Sequence, residues 1–362
     1  MKRIIFTVTN DLNYDQRMMR ICTSLAEAGY TVTLIGTKSN TSPPLSQKKY
    51  KQNRLYTFCK KGSGFYAEYN IRLFFYLLFK KTDIICCIDL DTILPVWLAS
   101  KLKKTERVYD AHEYFSQQKE IVTRPGIFGV WQWIEKKFVP RFKRGYTVSY
   151  SIASKFKELY GVEYEVIRNM PSLKPLSVKA AVDEKVILYQ GAVNEARGLE
   201  FLIPAMKTIN ARLDIYGDGN FMVQTKDLVA ANNLQDKVFV KGKVLPEELD
   251  AFTQSAYMGV NLVEYVGMNQ YYSLANKFFD YISNGLPQVT MNFPEYKNIN
   301  DEFDVAVLVD DLKKETLTVA INKLLNDETL YKRLQQNCIT ARQALNWQNE
   351  EKKLIAFYKN IG

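Results

Sequence analysis

Apolar residues follow two alternating patterns along the chain: short continuous runs, and longer stretches in which they return every three or four positions. The runs predict buried strands, and the periodic stretches predict helices that pack on a sheet. Predicted strands in the first half lie at 2–9, 31–36, 83–88 and 107–109, with helices following residue 15 and at 65–81 and 92–101. Strands that alternate with helices indicate a parallel sheet.

The same alternation starts again after a connector that contains two prolines. Predicted strands there lie at 186–189, 213–216, 238–240 and 288–291, with a helix at 198–209. We therefore predict an α/β protein of two Rossmann-like, doubly wound domains that bind ligands at the carboxyl ends of their strands. The predicted boundaries are 1–170, a linker at 171–182, 183–345, and a C-terminal helix in 346–362 that packs back on the first domain.

The stretch 274–289, LANKFFDYISNGLPQV, combines a short helix with candidate chemistry. The apolar residues of the helix fall on one side, at Phe278, Phe279 and Ile282. Lys277 and Asp280 lie on the opposing arc. Unpaired amides at the start of a helix and a lysine suit phosphates, whereas a carboxylate suits a diol. The pattern predicts a nucleotide-sugar site, with an amphipathic helix packed on a sheet as an equal alternative.

Composition narrows the class of protein. With 362 residues and 47% hydrophobic content, the chain can form two cores, and its apolar runs are shorter than the roughly 20 residues that span a membrane. Five scattered cysteines and a single histidine disfavour disulfides and zinc sites. The start of the chain lacks the pattern of a signal peptide, which predicts a cytoplasmic protein.

Positive charge is concentrated in the first half. Residues 1–170 contain 28 Lys and Arg against 15 Asp and Glu, whereas the remainder contains 21 against 24. This asymmetry predicts an anionic partner, either a membrane surface or nucleic acid. Aromatic and basic residues alternate between Trp131 and Arg144, which suits an anionic bilayer but equally a core helix with a basic outer face. The aromatic run at 74–79 is predicted to be core.

Two cofactor classes are disfavoured by the motifs. The first strand is not followed by GxGxxG, which argues against a dinucleotide cofactor. Asp89-Leu90-Asp91 looks like a metal-binding DxD, but it lies in the first domain, away from the predicted phosphate site. We interpret it as a loop in which Asp91 caps the next helix, and we predict no metal.

Five segments together resemble the GT-B fold glycosyltransferases, in particular the retaining, nucleotide-sugar-dependent family 4. They are YDAHE, LYQGAVNEARGLE, IYGDGN, VFVKGKVLPEEL and SLANKFFDYISNGLP, in this order along the chain. The resemblance implies two Rossmann-like domains that face each other across a cleft. It also implies metal-independent transfer of a hexosyl unit with retention, in which the departing diphosphate helps to remove the acceptor proton.

The resemblance assigns donor-site roles to residues of the second domain. Asp280 stands where the family has a glutamate on the donor ribose, and Tyr272 stands where it often has a glutamate on the sugar. The sugar contact is then expected from Tyr272 or from the amides of Leu274 and Ala275. Asn276 and Lys277 match the family pattern at the helix start, with a cap and a solvated lysine as the alternative. Arg197 and Lys277 are expected on the diphosphate, beside the glycine loops of Gly191 and Gly217.

The expected acceptor side lies in the first domain. His112, in YDAHE, matches an element that contacts the sugar or its phosphate, although chemistry alone favours a structural histidine. His112, Arg197 and Lys277 are the predicted catalytic residues. Glu113, Asp15 and Arg17 are the predicted acceptor contacts, and Asp15 and Arg17 are equally suited to capping the first helix.

The predicted function is transfer of a sugar from a UDP- or GDP-type donor to a hydroxyl of a glycan or lipid-linked acceptor in cell-surface polysaccharide synthesis. No cofactor and no nucleic acid partner are expected. The expected location is the cytoplasm, either free or peripheral on the inner face of the cytoplasmic membrane. The alternatives are a nucleotide-sugar 2-epimerase of the same fold and a non-catalytic nucleotide-sugar binding protein.

Overall fold

The chain forms two compact units in the computed structural model, which describes residues 1–13, 15–38, 42–176 and 184–361. The first unit comprises Met1–Asn169 and Glu350–Gly362, and the second comprises Met170–Asn349. Residues 177–182 of the predicted linker lie outside the described residues.

The first unit contains a seven-stranded parallel sheet with the order β3-β2-β1-β4-β5-β6-β7. The strands are β1 (Arg3–Thr7), β2 (Thr31–Lys38), β3 (Lys51–Tyr56), β4 (Ile84–Ile88), β5 (Glu106–Ala111), β6 (Gly145–Thr147) and β7 (Glu165–Val166). The connecting helices are α1 (Gln16–Glu27), α2 (Gly62–Phe79), α3 (Ile93–Lys103), α4 (Lys119–Val122), α5 (Pro125–Phe138) and α6 (Tyr150–Tyr160).

The second unit contains a six-stranded parallel sheet with the order β10-β9-β8-β11-β12-β13. Its strands are β8 (Val186–Gln190), β9 (Arg212–Tyr216), β10 (Val238–Gly242), β11 (Met258–Asn261), β12 (Gln288–Met291) and β13 (Ala306–Val309). Its helices are α7 (Leu199–Ala205), α8 (Met222–Ala231), α9 (Pro246–Ser255), α10 (Met268–Tyr271), α11 (Asn276–Ser283), α12 (Pro294–Phe303), α13 (Lys314–Asn326) and α14 (Glu328–Ala341). The last helix of the chain is α15 (Trp347–Lys359).

Central strands are buried on both sides because helices cover both faces of a parallel sheet. All five residues of β4 are buried, as are all four of β12. In both sheets the first strand of the unit lies in the middle and the strand order reverses there, so the loops that follow β8 and its neighbours lie at a switch point suited to ligands. The predicted α/β class with two Rossmann-like sheets is confirmed.

Several strands were not anticipated from the sequence, and one burial prediction was wrong in part. The missed strands are β3, β6, β7, β11 and β13, four of which have five residues or fewer and so carry little periodic signal. The aromatic run at 74–79 was predicted to be core. Leu77 is buried as predicted, but Phe75 is 54% exposed and Phe79 is 83% exposed. The helix is apolar on all sides, so its pattern did not reveal which face meets the sheet. Among the described residues, no helix has the length and apolar character needed to cross a membrane.

Candidate functional site

Two glycine-containing loops meet at the carboxyl ends of the adjacent strands β8 and β9. Gly217 has a φ of +152°, and a Cβ atom there would lie 1.8 Å from the carbonyl oxygen of Gly191. The amide of Val193 donates to the carbonyl of Asp218 at 3.0 Å, which joins the two loops a second time. Only glycine permits this approach of one backbone to the other. The close packing fixes the backbone at the start of the β8 loop.

The end of the β8 loop is equally constrained, and this positions Arg197. A Cβ atom on Gly198, whose φ is +76°, would lie 2.6 Å from the Cβ of Leu262. On the other side, Ala196 donates its amide to Glu200 at 3.1 Å and accepts the amide of Glu264 at 3.0 Å. Arg197 lies between these fixed residues, partly exposed. No hydrogen bond or ion pair engages its guanidinium within the part of the chain that the structure describes.

The ammonium of Lys277 is buried beside the β8 loop. Its nitrogen lies 3.6 Å from the centroid of the Tyr189 ring, and its Cε lies 3.6 Å from the position of a Cβ on Gly191. This nitrogen has no hydrogen-bond partner among the described residues. Burial, followed by the positive charge of Arg197, lowers the pKa of Lys277 well below its usual range, and Asp280 offsets part of that shift. A buried cation whose charge is only partly offset is costly, and a bound anion would relieve that cost.

The start of helix α11 lies directly before Lys277. The cap residue is Ala275, and no side chain caps the helix, so the structure does not show the cap that was the alternative role of Asn276. Its predicted donor-site role stays a prediction. The amide of Ala275 donates to the hydroxyl of Tyr296 at 2.9 Å. Of the two amides expected to contact a sugar, that of Ala275 is therefore already engaged. Leu274 is 8% exposed, and no acceptor for its amide occurs among the described residues.

The carboxylate of Asp280 lies on the next turn of α11 and is bound by a side chain from the end of strand β8. It accepts a hydrogen bond of 3.1 Å from Nε2 of Gln190, whose Oε1 accepts a hydrogen bond of 2.8 Å from Thr253. This relay orients the amide of Gln190 so that its N–H faces the carboxylate. Gln190 and Thr253 were missed in the sequence. The only signal was the position of Gln190 as the last residue of a strand, directly before Gly191.

Tyr272 belongs to an aromatic group that precedes α11. Its ring centroid lies 5.3 Å from that of Tyr271, which contacts Tyr265 at 5.0 Å and Phe293 at 5.1 Å. Tyr272 itself is partly exposed. The predicted contact between Tyr272 and a sugar therefore stays a prediction.

In the first unit, Arg17 is part of a buried ion pair. Its guanidinium binds both carboxylate oxygens of Asp110, at 2.9 and 3.3 Å, and donates to the carbonyl of Ile167 at 3.3 Å. Its side chain is only 2% exposed. These contacts give Arg17 a structural role in the core of the first unit, and its predicted contact with an acceptor stays a prediction.

His112 follows β5 at the same edge of the sheet. Burial, followed by the charges of Arg17 and Arg20, lowers the pKa of His112 to about 3. The imidazole is therefore neutral at physiological pH, with one nitrogen that donates a hydrogen bond and one that accepts, and it does not act as a cation. No hydrogen bond to the ring occurs within the described part of the chain.

The other predicted acceptor residues have local partners. Asp15 caps α1 by accepting the amide of Met18 at 3.0 Å, so the capping alternative is the observed one. Glu113 accepts a hydrogen bond from Gln118 and donates its amide to Asp89 at 3.1 Å. Both residues lie in loops that follow strands of the first sheet, and their predicted role toward an acceptor stays a prediction.

The acidic pair Asp89 and Asp91 does not form the predicted helix cap. The residue that caps α3 is Thr92, without a side-chain bond, and Asp91 instead accepts the hydroxyl of Thr9. Burial raises the pKa of Asp91 to about 7. Across the described ranges, no group of three or more His, Cys, Asp or Glu is arranged to hold a metal ion.

Comparison with known proteins supports the resemblance. Residues 176–340 match the family of glycosyl transferases group 1, a segment somewhat shorter than half of the chain. No curated protein matches the sequence significantly.

Solved structures with the GT-B fold superimpose over the whole length. Sucrose-phosphate synthase from Thermosynechococcus elongatus has a TM-score of 0.85 at 16% identity, over 100% of this chain and 99% of that chain. HepE from Anabaena, in complex with UDP-glucose, has a TM-score of 0.77 at 11% identity, over 100% of both chains. WaaG, a glycosyltransferase involved in lipopolysaccharide biosynthesis, has a TM-score of 0.76 at 13% identity, over 99% of this chain and 100% of that chain. At these identities the likeness shows the fold.

Proposed function

We propose that this chain, a GT-B protein with a glycosyl transferases group 1 domain at residues 176–340, transfers a sugar from a nucleotide diphosphate sugar to a hydroxyl acceptor. The observation that carries the proposal is the buried ammonium of Lys277. It lacks a hydrogen-bond partner among the described residues and lies beside the glycine loops at the carboxyl ends of β8 and β9. A diphosphate supplies the missing counter-charge.

The remaining donor contacts follow from the same geometry. Arg197 is held at a fixed place in the β8 loop and offers a guanidinium fork, which suits two phosphate oxygens. The uncapped start of α11 adds amide donors and a partial positive charge. Asp280, oriented by Gln190, is one turn further along the helix and accepts hydrogen bonds from a ribose diol. Together these groups match the charge and hydroxyl pattern of a nucleoside diphosphate.

The proposed reaction retains the configuration of the transferred sugar. The bond between C1 of the sugar and the diphosphate oxygen breaks, and a bond between C1 and the acceptor oxygen forms on the same face. The acceptor proton passes to the departing phosphate oxygen. Arg197 and Lys277 stabilise the negative charge that develops on the diphosphate, which is the role that a metal ion has in other transferases. His112, as a neutral ring, orients a sugar hydroxyl.

UDP-sugars are the first donor class to test, because HepE, a structure similar to this chain, is described in complex with UDP-glucose. A glycan or lipid-linked acceptor in polysaccharide synthesis is the acceptor class that we propose, because WaaG, a structure similar to this chain, is involved in lipopolysaccharide biosynthesis. The reaction is proposed to need no divalent ion. Turnover should therefore continue in excess EDTA, and loss of turnover that Mg²⁺ restores would contradict this part of the proposal.

Calorimetry with UDP, GDP and their nucleosides tests the donor site. In the Arg197→Ala variant, the affinity for the diphosphate should fall about 10- to 100-fold, which corresponds to the loss of hydrogen bonds to a charged group. The affinity for the nucleoside should change little. In Asp280→Asn, both ligands should weaken together because both carry the ribose. Arg333→Ala, which removes an exposed arginine of α14, is the matched control and should bind like the wild type.

Equal affinity of wild type and Arg197→Ala for the diphosphates would contradict the donor site. Turnover distinguishes the remaining functions. A new glycoside that appears only with acceptor supports transfer, whereas an epimerised nucleotide sugar without acceptor supports the 2-epimerase. Binding without either product supports a non-catalytic protein. The anomeric configuration of the product, read by NMR, tests retention.

A further inference from the structure

The outward face of α2 is apolar. Ile71 is 58% exposed, Phe75 is 54% exposed and Phe79 is 83% exposed. Their spacing of four residues places them on one side of the helix, opposite the fully buried Leu73 and Leu77. Large apolar side chains scattered singly on a surface are common, but three in line on one helix indicate a contact surface.

Two further helices extend this apolar face. Leu102 of α3 is 65% exposed, and Val130 and Trp133 of α5 are 58% and 55% exposed. Ring contacts join the helices, because Trp97 of α3 lies 5.2 Å from Phe138 of α5. We define the outward faces of these three helices and their ends, within residues 56–81, 93–107 and 124–144, as the α2–α3–α5 surface.

Cations surround the exposed apolar residues. The three segments of the α2–α3–α5 surface contain fifteen Lys and Arg but only three Glu, and one of these, Glu135, is buried. Several cations lie over aromatic rings, as Lys101 does over Trp97 at 5.2 Å and Lys137 over Trp133 at 4.6 Å. Aromatic rings next to lysines and arginines are the composition that binds at the headgroup level of an anionic bilayer.

We propose that the α2–α3–α5 surface docks on an anionic lipid bilayer, with α2 lying in the plane of the interface and Ile71, Phe75 and Phe79 inserted among the acyl chains. The choice of a bilayer over a protein partner rests on the charge. An anionic lipid surface neutralises cations spread over three helices at once, whereas a second copy of this chain would bring the same positive charge against them. The proposal concerns the first unit alone and does not depend on the donor site.

The anchor differs from the one that the sequence indicated. The sequence favoured the segment from Trp131 to Arg144, but Trp131 is partly buried and contacts Tyr66 and Phe115. The most exposed ring of the α2–α3–α5 surface is that of Phe79 in α2, at 83%, in the run that was predicted to be core. Binding should therefore have an apolar component from α2 that salt does not remove, in addition to the electrostatic component that salt screens.

Vesicle sedimentation tests the proposal. Wild-type protein should pellet with vesicles of phosphatidylglycerol and phosphatidylcholine but not with phosphatidylcholine alone. The triple variant Ile71→Ser, Phe75→Ser, Phe79→Ser should bind the anionic vesicles at least about tenfold more weakly. The matched control, Leu159→Ser, Val223→Ser, Val319→Ser, removes three apolar side chains elsewhere that are each more than half exposed and should bind like the wild type.

Two further measurements keep the test decisive. Circular dichroism shows whether the triple variant is folded, and UDP binding shows whether its second unit is intact. A defect in the donor site is thereby distinguished from a loss of vesicle binding. Lys80→Gln, Lys81→Gln, Lys101→Gln should bind more weakly at low salt, and the difference from wild type should shrink as salt rises. Equal pelleting of the α2 triple variant and the wild type would overturn the proposal. Dimerisation of the wild type that the α2 changes abolish, without vesicle binding, would also overturn it and identify a second copy as the occupant.

Discussion

At the scale of single residues, the proposed donor site is defined by the buried ammonium of Lys277, which has no hydrogen-bond partner among the described residues. The ammonium of Lys277 is buried over the ring of Tyr189, and Arg197 rather than an acid contributes most to its electrostatic surroundings. Burying a cation in this way lowers the stability of the ligand-free protein. Residues kept at such a cost commonly serve binding or catalysis.

Replacing Lys277 by methionine should therefore separate stability from binding. The free energy of unfolding of the ligand-free protein should rise by about 1–3 kcal/mol, since an unpaired buried polar group is removed, while UDP affinity is lost. Urea denaturation and calorimetry measure the two quantities. Lys226→Met, an exposed lysine on α8, should change neither. A less stable Lys277→Met protein would show that the ammonium has a structural partner.

The depressed pKa of Lys277 also predicts a dependence on pH. Between the folded pKa and the unfolded value of about 10.4, the unfolded chain binds more protons than the folded one, so this residue makes stability increase with pH in that window. Bound diphosphate favours the charged form of Lys277, so the protein should take up protons when UDP binds at alkaline pH. Titrations in buffers of different ionisation enthalpy would reveal that uptake, and it should be absent in Lys277→Met.

His112 gives a second prediction at this scale, because it is the only histidine in the sequence. Its pKa of about 3 implies that its imidazole NMR signals should not titrate above about pH 4. Because the unfolded chain takes up this proton near pH 6.5, His112 should also lower stability as pH falls from about 6.5 towards 3. His112→Gln should remove that part of the slope. A midpoint near the ordinary value would show that the ring is solvated.

At the scale of elements, the site depends on loops whose backbones are fixed because they pack closely against neighbouring residues. The β8 and β9 loops touch through Gly191 and Gly217, and Gly198, the residue before α7, lies against Leu262. The sequence shows glycines at these places but not which backbone each one meets. The functional side chains therefore lie on short loops and one helix start, all supported by adjacent parallel strands.

Gly217→Ala should damage the donor site without unfolding the second unit. The added Cβ would lie 1.8 Å from the Gly191 oxygen, so the β8 loop must shift and UDP affinity should fall at least about tenfold, in line with the sensitivity of tightly packed contacts. Gly242→Ala is the control because it also has positive φ, at +77°, but no atom lies within 4 Å of the added Cβ. Equal UDP affinity of the two variants would show that the loop contact does not shape the site.

At the scale of the whole molecule, the two units divide the charge and the chemistry. The net positive charge belongs to the first 170 residues, and the uncompensated Lys277 belongs to the second unit. The C-terminal end of the chain also belongs to the first unit, which includes residues 350–361. There Tyr358 is fully buried, with its ring 5.9 Å from Phe6 and its hydroxyl 3.4 Å from that of Tyr146.

Tyr358→Ala should therefore destabilise the first unit by about 3–5 kcal/mol, as loss of a large buried aromatic side chain does. Hydrogen exchange should increase in β1 and β4, whereas protection and UDP binding in the second unit should persist. Tyr358→Phe keeps the packing and loses one hydroxyl contact, so it should cost only about 1 kcal/mol. If Tyr358→Ala leaves exchange in the first unit unchanged, the last helix does not support that core.

The sequence by itself determined the α/β class and the two repeats of alternation, because the period of apolar residues is a local property of the chain. It also led to the prediction of Arg197, Lys277 and Asp280 as donor-site residues, partly through the family resemblance. The tertiary structure decided which side chains have partners. Arg17 became a core ion pair because Asp110, 93 positions away, lies opposite it, and Gln190 became the partner of Asp280 because β8 and α11 are neighbours. It also decided that α2 exposes Phe75 and Phe79. A helix that is apolar on every side does not reveal which face the sheet will cover, since burial is a property of the packed fold.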